Sequence, residues 1–302
     1  MLEFKTNACL CKNHQNDLYL FSCRDVNFEN TDVNSKFLQC TTCGSQRPEI
    51  FPSIETIKHA YNQYYTTGSG QTKLSFIKRN IKSFVNMSRS RYNDRNVSLN
   101  TKILLDYGCG SGAYLARISE KNVSITCYGT DIVKPQWSSD CAIKWISLED
   151  LHDLKEIDLV TFSHVVEHLH EPDAALASAA KVMKKGGLIW IATPNAQSIL
   201  VSLFGAFARD VDFPRHRLVF SAPLLIEALE SNGFGNIQFQ PPPRWNDIAN
   251  FHQCMKNLST ENLPRSDQIK IVAIALGRFF LYNMSWNRLI RAPELVVTAQ
   301  KL

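Results

Sequence analysis

The sequence contains no apolar run long enough to cross a membrane. Its longest late stretch, Ile271 to Leu276, stops at Gly277 and Arg278, far short of the roughly 20 residues a spanning helix needs. The opening residues, M-L-E-F-K-T-N-A, lack the apolar core of a secretory signal, so a cytoplasmic protein with no transmembrane segment is expected. Blocks of like charge are also missing. The net charge of +5 comes from Lys and Arg scattered among acids, which permits nucleic-acid binding without indicating it. Glycine is sparse, 13 in 302 residues, yet three of the glycines fall at 108, 110 and 112. Cysteine is not sparse. Nine thiols in a chain without an export signal should be reduced, and their grouping suggests metal before disulfides. With 44% hydrophobic residues the chain can bury one large core or two smaller ones, and nothing in it indicates an oligomeric state.

The rest of the chain is organised around K-I-L-L-D-Y-G-C-G-S-G-A-Y-L-A-R-I, residues 102 to 118. Ile103, Leu104 and Leu105 suit a strand buried on both faces, and Ala113, Leu115, Ala116 and Ile118 recur with the spacing of a helix packed on it. Between them Gly108, Cys109, Gly110 and Gly112 make a turn that takes positive φ and approaches a ligand closely. Asp106 falls at the carboxyl end of the strand. The pattern predicts an open α/β sheet with a nucleotide-type cofactor at its edge. Gly108, Gly110 and Ala113 also satisfy the spacing of dinucleotide binders, so hydride transfer stays open on this motif alone.

Further along, Ser124 to Thr130 reads as a second strand ending in Asp131, with Ile132 beside it, at the distance of an acid that accepts hydrogen bonds from ribose hydroxyls. Ala142 to Ile146 is a third strand, followed by Ser147 and Leu148. A buried fourth strand, Ile157 to Phe162, delivers Ser163 and His164 to the edge where an open sheet binds its ligand. An Ala-rich helix over Asp173 to Met183, a stop at K-K-G-G (184 to 187) and a fifth strand, Leu188 to Ala192, come next. Ser221 caps a later helix that Gly233 ends, and Ile237 to Gln240 is a sixth strand. Residues 244 to 292 form an insertion with apolar helical patterns, read as a substrate wall, a dimer contact or a membrane-surface element.

D-Y-G-C-G-S-G resembles motif I of the class I S-adenosylmethionine (SAM) dependent methyltransferases. I-D-L-V, E-H-L, K-K-G-G-L and P-N resemble motifs IV to VI, particularly in the branch with ubiquinone-pathway O-methyltransferases and sugar-modifying relatives. The resemblance implies a Rossmann-like seven-stranded sheet with helices on both faces, closed by E-L-V-V-T-A-Q-K as an antiparallel final strand. It implies SAM as the cofactor, with the glycine loop supporting its methionine part and Asp106 helping to hold its amino group. Asp131 then serves the ribose, Ile132 is a further cofactor-binding residue, and Leu148 packs on the adenine. Many relatives carry an aspartate where Ser147 stands, so here that contact falls to Ser147 or to backbone.

At the N-terminus Cys9, Cys11 and His14 precede a C-T-T-C-G knuckle at Cys40 and Cys43. Two ligand groups a few tens of residues apart are how a zinc ribbon presents four tetrahedral ligands, and Cys9, Cys11, Cys40 and Cys43 are the expected set, with Cys23 a further candidate. Such a metal would be structural. A Cys-rich module of this kind resembles the N-terminal part of some small-metabolite methyltransferases. The expected organisation is a Cys-rich module over 1–50, a helical lid or linker over 51–98 with Tyr64 and Tyr65 toward the substrate, and the cofactor domain over 99–302.

The acceptor is expected to be a small molecule, a sugar, nucleotide sugar or other metabolite, methylated at oxygen. An oxygen of high pKa needs a base, which at neutral pH is most naturally a histidine, and His216 and His164 are the candidates. His164-x-x-Glu167-His168 matches a metalloprotease pattern, but it straddles a strand end and is soon broken by Pro172. Its residues are read as hydrogen-bonding the loop, with a loose divalent-metal site as the alternative. The rival functions are an RNA or protein methyltransferase that reads its substrate through the Cys-rich module, and a non-catalytic SAM-binding module.

Overall fold

The computed structural model describes residues 4–12, 15–25, 34–53, 94, 97–135, 142–259, 264–284 and 288–302. Most of the predicted lid, including Tyr64 and Tyr65, falls outside them, as does His14. The chain divides into two compact units: Met1–Met87, Pro194–Leu224 and Pro242–Pro293 in one, and Ser88–Thr193, Leu225–Pro241 and Glu294–Leu302 in the other.

The first unit begins with short antiparallel strands. β1 (Phe4–Thr6) pairs with β5 (Ile50–Pro52), and β2 (Asp17–Cys23), β3 (Ser35–Cys40) and β4 (Gln46–Pro48) form a meander. Arg47 is buried here, donating to both carboxylate oxygens of Asp17 at 2.9 and 2.7 Å and to the Asn7 carbonyl at 2.7 Å, so its charge is compensated where it leaves water.

The second unit holds the large sheet. Its strands are β6 (Ile103–Tyr107), β7 (Thr126–Thr130), β8 (Ile143–Trp145), β9 (Ile157–Ser163), β10 (Met183–Pro194), β11 (Phe234–Gln240) and β12 (Glu294–Lys301), in the order β11-β12-β10-β9-β6-β7-β8. The pairs from β10 to β8 are parallel, and β12 runs antiparallel to β11. Leu104, Leu105, Leu159, Val160, Ile189 and Ile191 are all but inaccessible, as strands covered on both faces require. The helix α1 (Ala113–Lys121) follows β6 and buries Leu115 and Ile118. After β9 comes α2 (Pro172–Val182), which opens on proline and buries Ala175, Leu176 and Ala179.

One sequence expectation is corrected. K-K-G-G does not stop the chain before the fifth strand; β10 runs through it with a register shift between Met183 and Leu188. Gly186 takes φ 76°, and a Cβ on Gly187 would lie 2.9 Å from the Lys184 carbonyl and 3.0 Å from that of Ile157. These glycines make a bulge that backbone alone fits, so the strand bends instead of ending.

The other helices are α3 (Ile199–Phe204), α4 (Ala222–Ser231), α5 (Arg244–Ser259), α6 (Arg265–Met284) and α7 (Arg288–Arg291). The predicted insertion is therefore helical. Phe251, Cys254 and Leu258 of α5 pack with Ala275, Phe279 and Tyr282 of α6 and with Ile199, Leu200 and Phe204 of α3 in the core of the first unit. The outer side of α6 exposes Ile269, Ile274, Leu276, Phe280, Leu281 and Met284. No helix among the described residues is long and apolar enough to cross a membrane.

Candidate active site

In an open parallel sheet a ligand sits where the strand order reverses, beyond the carboxyl ends of the strands. Here that point lies between β6, which continues to β7 on one side, and β9 on the other. The loop after β6 carries the three glycines, all left-handed, with Gly108 at φ 74°, Gly110 at 54° and Gly112 at 74°. Val165 explains Gly108: a Cβ there would lie 2.4 Å from its Cγ2, whereas a Cβ on Gly110 would meet nothing within 4 Å.

The loop's amides settle much of its chemistry. Gly108 N–H and Cys109 N–H both donate to the Thr130 carbonyl, at 2.8 and 3.0 Å, and Gly110 N–H donates to Asp131 Oδ2 at 2.7 Å. In a pyrophosphate-binding turn such groups face the phosphates; these three are held inside the protein. Two carboxylates stand beside them. Asp131 also accepts from Ile132 N–H at 2.7 Å through Oδ1, and Asp106 accepts from the Thr161 hydroxyl at 2.6 Å. Burial pushes Asp106 up to about 7; the Thr161 hydrogen bond opposes the shift and the charge of Asp131 adds to it. An acid raised in this way ionises readily when a cation arrives, and the site suits a positively charged ligand better than a phosphate.

Beyond these acids the neighbouring strand tips present apolar surface, with Ile132 54% and Leu148 37% exposed, a surface suited to a flat aromatic base. Ser147 hydrogen-bonds Asp150, donating to Oδ2 at 2.7 Å and accepting from its N–H at 3.1 Å, so its hydroxyl caps the following turn. Cys109 is buried and its thiol is pushed up to about 12, chiefly by that burial, which makes it an inert packing group at neutral pH.

His164, just past β9, has φ 56°, unusual for a residue with a side chain. Its N–H donates to the Ala192 carbonyl at 2.8 Å, while Nδ1 lies 3.4 Å from Glu167 Oε1 and Nε2 3.4 Å from Glu294 Oε1. Burial alone would lower its pKa; the charge of Glu294 and the bonds to Glu167 and Glu294 outweigh that and raise it to about 9. At neutral pH His164 is a cation clasped by two carboxylates, with Thr193 Oγ1 donating to Glu167 Oε2 at 2.9 Å. Such a group donates hydrogen bonds and does not accept a proton. Sequence reasoning missed Thr161, Thr193 and Glu294; the only trace of Glu294 is an acid heading an apolar strand.

His216 belongs to the first unit. Nδ1–H donates to the Asp210 carbonyl at 2.8 Å, and Nε2 lies 3.8 Å from Asp212 Oδ2. That bond occupies Nδ1 as a donor, so in a neutral ring Nε2 is the nitrogen that accepts a proton.

The four predicted cysteines gather in the same unit. Cys9 Sγ lies 3.6 Å from Cys11 Sγ and from Cys43 Sγ, and Cys11 Sγ lies 3.6 Å from Cys40 Sγ. Four thiolates about 2.3 Å from a tetrahedral zinc have their sulfurs slightly under 4 Å apart, so the donor set fits that metal. The sulfurs all lie within 4.8 Å of one another. A hydrogen bond from Cys43 pulls Cys9 down to about 4, whereas burial pushes Cys11 up to about 12. Cys23 is not part of the cluster; it lies in the apolar core with Phe37 and Phe204.

A doubly wound sheet with a glycine loop and acids at its switch point belongs to a protein that binds a nucleotide-type cofactor, and of the two cofactor readings the loop permits, comparison with known proteins selects the class I SAM-dependent methyltransferases. The methyltransferase domain family model matches residues 78–238, more than half of the chain, and the chain belongs to that family. The ubiquinone biosynthesis O-methyltransferase of Thiobacillus denitrificans is 29% identical over 136 residues, 40% of this chain and 58% of that enzyme. Its counterpart in Dechloromonas aromatica is 28% identical over 136 residues, with the same coverage of 40% and 58%. The chain thus spans under three-fifths of the length of these curated relatives. Haemonchus contortus phosphoethanolamine N-methyltransferase 2, solved with phosphomonomethylethanolamine and S-adenosylhomocysteine, shares the fold at a TM-score of 0.50, with 12% identity over 94% of this chain and 68% of that one.

Proposed function

We propose that this protein moves the methyl group of SAM to an oxygen of a small-molecule acceptor, a sugar, nucleotide sugar or other metabolite, in the cytoplasm. The observation that carries the cofactor part is the pair of acids at the tips of β6 and β7 beside a loop whose amides are turned inward. The likeness to ubiquinone biosynthesis O-methyltransferases supports oxygen as the acceptor atom. SAM supplies an electrophilic methyl on a sulfonium. The residues of this chain hold the donor, orient the acceptor in line and remove a proton. Positioning alone can contribute about 7–11 kcal/mol in favourable cases. In this reading Asp106 faces the donor's amino group, Asp131 takes the ribose hydroxyls, Ile132 and Leu148 flank the base, and Ser163 and His164 line the far side. His216 is assigned the proton, because with Nδ1–H given to the Asp210 carbonyl its Nε2 is the ring nitrogen left to accept one. The direct test is calorimetry with SAM and with a nicotinamide dinucleotide, followed by transfer of labelled methyl to a panel of catechols, free sugars and nucleotide sugars. Uptake of the dinucleotide and not SAM would overturn the proposal, and label appearing in RNA or protein would redirect it.

Two outcomes follow for variants. His216→Ala should lower turnover at least a hundredfold while SAM affinity changes less than twofold, general-base contributions being about 10²–10⁴-fold; equal loss in both would remove His216 from the acceptor side. For Asp106 the expectation concerns pH. Its carboxyl titrates near 7, above the ordinary value of 3.8, and a cationic ligand favours the ionised form. SAM affinity should therefore fall about tenfold from pH 8 to pH 6, with proton release on binding in that window. Asp106→Asn should bind weakly and independently of pH. A flat profile for the wild-type chain would argue against this role.

A further inference from the structure

The Cys-rich turns and the segment around His216 are joined by hydrogen bonds that follow a pattern. Residues 215 to 221 start in a turn, bend at 217 and form bridge positions at 219 and 220, and alternate members of the segment are held by residues of the N-terminal part. Arg215 Nη2 pairs with Asp25 Oδ1 at 3.0 Å. The Arg217 carbonyl accepts from Asn7 Nδ2 at 2.7 Å. Val219 exchanges both backbone bonds with Gln46, its N–H donating at 2.7 Å and its carbonyl accepting at 3.0 Å. The Ser221 hydroxyl donates to the carbonyl of Cys43 at 2.6 Å while accepting from Leu224 N–H at 3.3 Å, which makes the cap of α4 a link to the knuckle.

The holding residues sit close to the thiols. Asn7 lies two positions before Cys9, Cys43 is itself one of the four, and Gln46 is three beyond it. Gln46 also reaches the Ala196 carbonyl at 2.8 Å through Nε2, which ties the start of the 194–224 segment to the same turn. Within the ribbon, the two cysteine-bearing turns are covalently separate over the 28 residues from 12 to 39. Leu18 and Tyr19 of β2 face water at 55% and 53% exposure, and the apolar side chains that β2 and β3 do bury, Cys23 and Phe37 with Leu20 and Phe21 against them, pack into the core of the first unit. A metal cross-link is the kind of contact a small module of this composition relies on.

We propose that metal bound by Cys9, Cys11, Cys40 and Cys43 is the positioning device for residues 215 to 221: it fixes the turns from which Asn7, Cys43 and Gln46 grip that segment, and so fixes His216. With four protein ligands the metal does no chemistry in this scheme. It cross-links the two cysteine-bearing turns, and the ribbon in turn supplies partners to the Arg217 carbonyl and to both backbone groups of Val219. The positional claim stands on its own geometry; only its consequence for turnover rests on the assignment of His216 above.

The test uses the full chain, first assayed for metal by mass spectrometry, then stripped with a zinc chelator and reloaded with zinc. Hydrogen exchange of peptides covering 215–221 should accelerate about tenfold or more in the stripped protein, while 103–118 is unchanged. In selectively labelled protein the His216 ring signals should leave the pattern of an Nδ1-protonated tautomer on stripping, return on reloading, and leave those of His164 in place. Faster exchange confined to 7–11 and 40–47, with 215–221 and the His216 signals untouched, would overturn the inference. So would purified protein that holds no metal and responds to none. Because a cysteine variant can fail to fold, Asn7→Ala gives a second measure. It keeps all four thiols and deletes one bond, so exchange at 217–219 should rise with metal content unchanged, and unaltered exchange there counts against the proposal. Were His216→Ala to abolish methyl transfer while zinc left the segment unaffected, the positioning role would fall and the proposed function would stand.

Discussion

Gly108→Ala should destabilise the protein by about 2–5 kcal/mol, whereas Gly110→Ala, two residues on, should cost about 1 kcal/mol and chiefly lose the cofactor. Both glycines are left-handed, at φ 74° and 54°, so an added Cβ strains each backbone. They differ in what surrounds that atom. At Gly108 it would fall 2.4, 3.0 and 3.3 Å from Cγ2, Cγ1 and Cβ of Val165, a β-branched side chain with little rotamer freedom to withdraw. At Gly110 it would enter open space beside the loop. Urea unfolding should separate the two variants, and SAM calorimetry should show Gly110→Ala weakened at least tenfold although its fold is nearly intact. A double variant, Gly108→Ala with Val165→Ala, should regain about half of the stability lost by the first, because the clash is removed and the strained φ remains. Equal unfolding costs for the two single variants, or no recovery in the double one, would show that Val165 is not what reserves position 108 for glycine.

Much of this site is legible in the sequence because its parts are local. The glycines, Asp106 and the strand before them fall within ten residues, and Asp131 sits at a distance from them that one strand-helix-strand unit sets. The four thiols are recognisable for a similar reason, although Cys9-x-Cys11 departs from the usual knuckle spacing and left Cys23 as a rival. Burial decides between them, because Cys23 ends β2 facing the apolar core and is pushed up to about 12 by that environment. Glu294 could not be read in this way. It stands 130 positions beyond His164 and reaches it because β12 inserts between β10 and β11, a long-range pairing that no local pattern encodes. The K-K-G-G segment was misjudged for a further reason: glycine pairs end helices and also permit bulges, and only the carbonyls of Lys184 and Ile157 close to Gly187 show which applies.

These long-range contacts also redistribute the chemistry between the two histidines. In the sequence they are equivalent candidates for a base. In the fold one ring gives its Nδ1–H to the Asp210 carbonyl, and the other lies between two carboxylates that raise its pKa to about 9. A cation at the tip of β9 makes electrostatic sense only as part of its trio, since Glu167 is wholly buried and Glu294 3% exposed. Deleting His164 removes the cation that both of these buried acids face.

His164→Asn should therefore cost about 3–5 kcal/mol at pH 7, the range expected when one member of a buried charged group is deleted. Asparagine is chosen because it tolerates a left-handed backbone, so φ 56° is not an added burden and the loss reports on charge. The dependence on pH distinguishes this from ordinary loss of packing. The folded pKa, raised to about 9, exceeds the unfolded value of 6.5. The imidazolium's contribution is thus fully present below 6.5 and lost as pH rises through 9. The wild-type chain should lose stability over that window, the variant should lack that decline, and the gap between them should be widest near pH 6 and narrow toward pH 9.5. Glu294→Gln supplies the control: it removes one of the two acids that raise the pKa, so the decline should move to lower pH and shrink while His164 keeps its bond to Glu167. Urea unfolding of the three proteins at pH 6, 7.5 and 9.5 is sufficient. A deficit in His164→Asn that stays constant across this range would mean that the ring is held for its shape and that the buried charge at the end of β9 is not there.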